Sequence, residues 1–447
     1  MGDKLRKSHF LAASAIGLAA AIALTGCAGT GTTPSGGDST LVVPTPQASD
    51  KTITVWNMNG DLSDATLAAI NAKFTALTGA KVKLQEQQWD NIITKVTTAL
   101  ATSTPPDVID LGNTQVPGYA ANGGLLDLTP YKQDLEQGQT WLGGLEDPAT
   151  VAGRLYGVPS FAGANAVLYN KTIWAAAGIT TVPTTYEELT ADLDKVKAAN
   201  PAEDFSAFYY PGQQFYAAIS FVWDAGGEIA TEKDGNWTAG FSSPEAQQGL
   251  NDFKEFQNTY SSVASQTLDW DKPPQDQVFA EGKSSAFLVG SADIPQIQQI
   301  NPAMTDDTLG TFPFPGKSGK AQPQLLVGSV WGVAAKSTNK DLALLWTKIA
   351  SSPDIQNANV FGNDGWIPNS VEGIQAAQSG GQLPSLTASF FTAALNSKST
   401  PAAANWPTIE VDRSVFQFFS TVASGAKSPK DAAKEIDDHI NSVLNGN

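Results

Sequence analysis

The chain has 447 residues, with 27 Lys and Arg against 44 Asp and Glu, for a formal net charge of −17. That balance excludes nucleic acid as the expected partner, because a phosphate backbone is held by basic surface that displaces counterions. The length suits two domains of common size.

Lys4, Arg6 and Lys7 open the chain, and an apolar run from Phe10 to Leu24 follows. The run is too short to cross a bilayer comfortably as a helix, and its charge placement is that of a secretory signal. It ends in Leu24-Thr25-Gly26-Cys27, which resembles the bacterial lipobox. That resemblance implies cleavage before Cys27, a signal peptide over 1–26 and diacylglycerol on the Cys27 sulfur. Cys27 is the only cysteine, so no disulfide can form within the chain. Residues 27–50 are rich in Gly, Thr, Ser and Pro and read as a lipidated cysteine followed by a flexible tether. The expected location is the outer face of the cytoplasmic membrane, by lipid anchor.

Ile53-Thr54-Val55-Trp56 alternates like a strand, and Leu67, Ile70, Phe74 and Leu77 recur at helical spacing before Gly79. A second strand at Val82 and Leu84, a helix from about Trp89 to Ala101 and a third strand at Val108–Leu111 complete a β-α-β-α-β run. Such a run predicts a parallel sheet, with ligand beyond the carboxyl ends of its strands. Asn57, Asn59, Asp61, Gln87, Gln88, Asn113, Thr114 and Gln115 lie there: neutral hydrogen-bonding side chains and one acid. A second α/β region begins after Tyr156-Gly157-Val158-Pro159, with a strand at Val167–Tyr169. Thr185 and Glu188 form a capping box, Asp234-Gly235-Asn236 marks a hairpin, and Ser243-Pro244 and Ser428-Pro429 each open a helix.

Scarcities narrow the chemistry. With His9 in the signal, His439 is the one histidine left, and it reads as a solvated residue of the last helix. A zinc site built on several histidines is therefore excluded, and a Ser-His-Asp triad would have to use His439. After Arg6 the only arginines are Arg154 and Arg413, which disfavours a multiply anionic ligand and favours a neutral polar one. Gly282-Lys283-Ser284 and Gly316-Lys317-Ser318 copy the end of a phosphate-binding loop, but Gln277 and Thr311 stand where its first glycine belongs. No cofactor, metal site or catalytic residue is expected.

The order of segments resembles the family 1 extracellular solute-binding proteins of bacterial ABC importers, which include the maltose-binding type. The likeness runs from about Ile53 to Leu444 and rests on several pieces in order. They are Pro106-Asp107-Val108 with Gly124 to Pro130, Leu155 to Pro159 with Leu168 to Lys171, Phe279 to Ala286, Val327 to Val333, and Ala423-Ser424-Gly425. The resemblance implies an α/β, two-lobe periplasmic-binding-protein-like fold of type II. Each lobe is expected to be a mainly parallel sheet flanked by helices, with the ligand cleft between lobes. Lobe 1 is placed at 51–160 plus about 292–335, and lobe 2 at 161–291 plus about 336–447. Crossings are expected near 159–165, 287–293 and 333–340. The implied partners are a neutral mono- or oligosaccharide and the permease subunits of an ABC importer, with the protein a monomer.

Positions matching the family's ligand-contacting loops are Asn57, Asn59, Asp61, Gln88, Asn113, Thr114 and Gln115 in the first lobe and Asn165 at the first crossing. Gln214, Tyr216, Trp223, Asp293, Trp331, Trp366, Trp406 and Asp412 complete the set. A sugar ring packs its C–H face on indole, and its hydroxyls need amides and carboxylates. Eleven tryptophans are available; Trp331, Trp366 and Trp406 are the platform candidates, whereas Trp56, Trp89 and Trp174 read first as core. Many sugar-binding members carry Trp after the Gly290-Ser291 step, where this chain has Ala292, so stacking is expected from elsewhere in the cleft. Two rival readings remain: a cell-surface glycoside hydrolase with paired carboxylates, and a ligand-binding sensor or adhesin.

Overall fold

The computed structural model describes residues 40–446 apart from residue 382. The signal peptide over 1–26, Cys27 and the tether as far as residue 39 lie outside the described residues. From Leu41 onward the expected tether is instead laid against the first lobe. The Leu41 amide donates to the Pro130 carbonyl (2.7 Å), and the Ala48 amide to that of Thr78 (2.8 Å). The Val43 amide donates to Asp134 Oδ2 at 2.7 Å, and the Val43 side chain is only 3% exposed. Its burial among polar and small neighbours escaped a reading based on average composition.

The first lobe is a six-stranded sheet in the order 367–368, 158–163, 327–333, 108–112, 52–58, 81–87. Strand Thr52–Met58 pairs parallel with Lys81–Gln87 and with Val108–Gly112, as the β-α-β-α-β run requires. The remaining three pairings are antiparallel, so the expectation of a mainly parallel sheet holds for the first three strands only. A Cβ on Gly328 would lie 2.2 Å from the Phe161 carbonyl oxygen, so the incoming strand needs glycine there to approach its neighbour. Helix Asp64–Thr78 is capped by Ser63 and stopped by Gly79 in the left-handed region, and it buries Leu67, Ile70 and Phe74. Leu77 stays exposed.

The second lobe is built on Asn165–Asn170, flanked by Ala286–Gly290 and Leu309–Phe312, both antiparallel to it. Parallel bridges Ser206–Ser284 and Tyr209–Phe287 add an edge segment. This sheet too departs from the parallel arrangement expected. Helices Tyr186–Ala199, Phe215–Asp224, Pro244–Tyr260, Ser414–Ser424 and Pro429–Asn445 bury an aromatic-rich core containing Phe215, Phe253, Phe256 and Phe419. The capping box closes as read, with the Glu188 amide on Thr185 Oγ1 (3.1 Å) and the Thr185 amide on Glu188 Oε2 (3.2 Å). The hairpin turn at Asp234-Gly235 has both residues at positive φ, joining strands 230–233 and 236–239.

Two expected lobe boundaries are corrected. Residues 292–312 stay with the second sheet, because Leu309–Phe312 pairs with the 165–170 strand. Helix Lys340–Ala350 belongs to the first lobe, where Leu342, Leu345 and Trp346 join the core of Ile53, Val55 and Phe74. The chain therefore returns to the first sheet between 312 and 327, not near 287–293, and leaves it again after Pro368, not near 333–340.

Burial of a valine side chain contributes about 1.5–3 kcal/mol. A chain beginning at residue 51 should therefore be less stable than one beginning at residue 40 by about 2–4 kcal/mol, once the lost hydrogen bonds are included. Urea unfolding of the two proteins checks this; equal midpoints would contradict the docking of residues 41–49.

Candidate functional site

The carboxyl ends of the first-lobe strands carry the residues singled out from the sequence, and Asp61 is their hub. Its carboxylate accepts from Ser329 Oγ (2.7 Å, Oδ2) and from the Trp89 indole N–H (3.3 Å, Oδ1). Its main-chain carbonyl accepts from the Trp366 indole N–H at 2.6 Å. Asp110 lies beside it, fully buried, with the Met58 amide on Oδ2 at 3.4 Å. Burial above all, then the Asp61 charge, pushes Asp110 well above the usual carboxylate range. Burial likewise pushes the Asp61 carboxyl up, to about 6.

Trp366 stacks on Phe161 with ring centroids 4.5 Å apart. It walls a recess of about 420 Å³ whose other lining residues include Asp61, Asp64, Glu86, Asn363 and Asp364, with no Lys or Arg among the described residues. Trp89 is 38% exposed, so it is a surface platform and not the core residue its sequence context suggested. Asn59 and Gln88 are exposed, and Thr114 and Gln115 half-buried; Gln115 Oε1 accepts from Tyr119 Oη at 3.2 Å. Asn57 is buried with Oδ1 unpartnered. Asn113 is a brace, because its Nδ2 donates to the carbonyls of Gly144 and Leu326, both at 3.0 Å.

In the second lobe Tyr216 packs against Trp270 (5.8 Å) and Phe416 (5.3 Å). Arg413 lies over Phe416 (4.7 Å) and Trp270 (5.7 Å) and donates to Gln213 Oε1 and Asp269 Oδ2, both at 3.2 Å. The charge of that arginine is thus matched within the protein. Gln214 is half-buried, with Oε1 unpartnered. Asn165 begins the central strand of the second sheet. Asp293 caps the Gly290 amide (3.3 Å) and faces Asp276, whose pKa is pushed to about 7 by burial and by the Asp293 charge. Trp223 is buried and borders a separate recess with Asp147, Glu228 and Lys398. Helix Trp406–Val411 packs against the 113–115 turn of the first lobe, bringing the two sets of loops to one side.

Three expected contacts are corrected. Trp331 is fully buried edge-to-face on Trp346 (4.8 Å), inside the first-lobe core. Trp406 is fully buried near Phe215 (6.2 Å), with its indole N–H on Glu410 Oε1 (3.0 Å). Asp412 is exposed and its Oδ2 pairs with His439 Nε2 at 2.7 Å, so His439 is partnered and not merely solvated. The sequence reading missed Trp270, Glu410 and Asp276. An indole between two acids, Asp269-Trp270-Asp271, was the available signal for the first.

Burial raises Glu410 to about 7, offset only partly by the Trp406 N–H. Its neutral form is favoured by folding, so that contribution is complete below the ordinary glutamate range and is lost as pH rises through about 7. Glu410→Gln should therefore raise the unfolding free energy by about 2 kcal/mol at pH 8 and change it little at pH 4. Denaturant titration at the two pH values checks this.

The family described as bacterial extracellular solute-binding protein matches residues 59–357. The diacetylchitobiose binding protein DasA of Streptomyces coelicolor is 35% identical over 395 residues, covering 88% of this chain and 90% of its own. Among solved structures, the sugar-binding protein MalE of Xanthomonas citri superposes with a TM-score of 0.76 at 21% identity, over 88% of this chain and 97% of that one. The cyclic α-maltosyl-1,6-maltose binding protein of Arthrobacter globiformis gives 0.72 at 20% identity, over 89% and 99%. At such identities the structural likeness establishes the fold, that of type II periplasmic binding proteins.

Proposed function

This chain belongs to the bacterial extracellular solute-binding proteins, and on that premise we propose that it captures a neutral sugar or oligosaccharide between its lobes and delivers it to an ABC permease. The observation that carries the reading is the pairing of half-exposed indoles with an acid- and amide-lined recess that lacks a cation. Trp89 and Trp366 offer faces for C–H stacking, and Asp64, Glu86, Asn363 and Asp364 offer acceptors for hydroxyl groups. Arg413 is already held by Asp269 and Gln213, and Arg154 is paired with Asp127, which speaks against an anionic ligand. Ligand touching both lobes would favour their closed arrangement by its differential affinity for it. The protein acts as a monomer.

Within this reading the lipid on Cys27 keeps the receptor beside its permease at the outer face of the membrane. The hydrolase alternative finds little support. Asp110 lies beside Asp61, and Asp293 beside Asp276, whereas a glycosidase holds its two carboxyls apart across the scissile bond.

Isothermal titration against a panel of neutral saccharides tests the ligand class. Diacetylchitobiose, the sugar in the name of the Streptomyces relative, heads the panel. Saturable one-to-one binding in the micromolar range or tighter is expected; no binding by any saccharide would end the sugar reading. Cys27→Ser should move the protein from the membrane fraction to the medium, measured by immunoblot of fractionated cells, with sugar affinity unchanged.

A further inference from the structure

We propose that Asp61 is a positioning residue: it sets the indole of Trp366, which lines the recess, and that of the exposed Trp89 beside it, and does not itself grip the ligand. Both oxygens of its carboxylate are spent within the protein, one on Ser329 Oγ and one on the Trp89 N–H. Its carbonyl takes the Trp366 N–H. One residue thus holds both platforms, Trp89 by its side chain and Trp366 by its backbone. A half-exposed indole without such a bond would sample several rotamers, and ordering it would be charged to ligand binding. Ser329 comes from the 327–333 strand and Trp366 from the segment that follows helix 340–350, so Asp61 joins the first β-α turn to two late segments of the chain.

The arrangement carries a pH dependence. The groups facing Asp61 are Asp110 from the 108–112 strand, and Asp64, Glu86 and Asp364 around the recess, with no cation in that lining. Burial raises the Asp61 carboxyl to about 6. Above that pH the Trp89 N–H meets a carboxylate, and below it a neutral carboxyl that is a weaker acceptor.

The affinity measurements rest on the sugar reading, whereas the indole measurement does not. In ligand-free, full-length protein labelled with ¹⁵N, the Trp89 indole N–H resonance should shift as pH passes through about 6. In Asp61→Asn that shift should vanish. A resonance indifferent to pH, or a shift that persists in Asp61→Asn, overturns the proposal whatever the ligand proves to be. With a sugar that binds, Asp61→Ala should weaken affinity about tenfold. In a Trp89→Phe background the same change should cost less than about twofold, because the indole it positions is gone. A full tenfold loss in both backgrounds would make Asp61 a direct contact and overturn the positioning role. Should Asp61→Ala fail to fold, Asp61→Asn carries the same cycle.

Discussion

The strand Val327–Val333 lies antiparallel between Val108–Gly112 and Val158–Gly163, and most of the first lobe depends on that insertion. It buries Trp331 against Trp346, places Ser329 under Asp61, and closes a sheet that its first three strands leave open. A segment this late in the chain reaches that slot only if the chain has already crossed to the second lobe and returned. The entropy of closing so long a loop grows slowly with its length, while the strand gains hydrogen-bonded neighbours on both sides. Gly328 permits the close approach that the slot demands.

The same insertion explains the electrostatics. Covering Asp110 with the 327–333 strand removes it from water, and burial without a cation beside it raises its carboxyl well above the usual range. Asp276 and Glu410 in the second lobe are raised for the same reason. Arg413 is paired with Asp269 and packed against Phe416 and Trp270.

Local features of the chain were legible before the structure. The Gly79 stop of the first helix, the Thr185–Glu188 capping box and the Asp234-Gly235 turn all formed as read. Each rests on contacts among residues a few positions apart, which sequence spacing encodes directly. Order of segments was enough for the family and the two-lobe fold. Asp61 and Trp366, singled out from the sequence, both line the proposed recess.

What the sequence determined by itself was thus which segments become helices and strands, which faces are apolar, and which family's order they follow. Which lobe an apolar face packs against was decided only by tertiary structure. Leu342, Leu345 and Trp346 have the spacing of a buried stripe, and nothing local says that Phe74 and Val55 are their neighbours. Tryptophan shows the same limit. Trp331 and Trp406 are core while Trp89 stands half in solvent, because exposure is set by what other segments deliver to the ring. The docking of Val43 on the first lobe follows the same rule: its burial depends on Asp134 and the helix end at Thr78, far away in sequence and adjacent only in the fold.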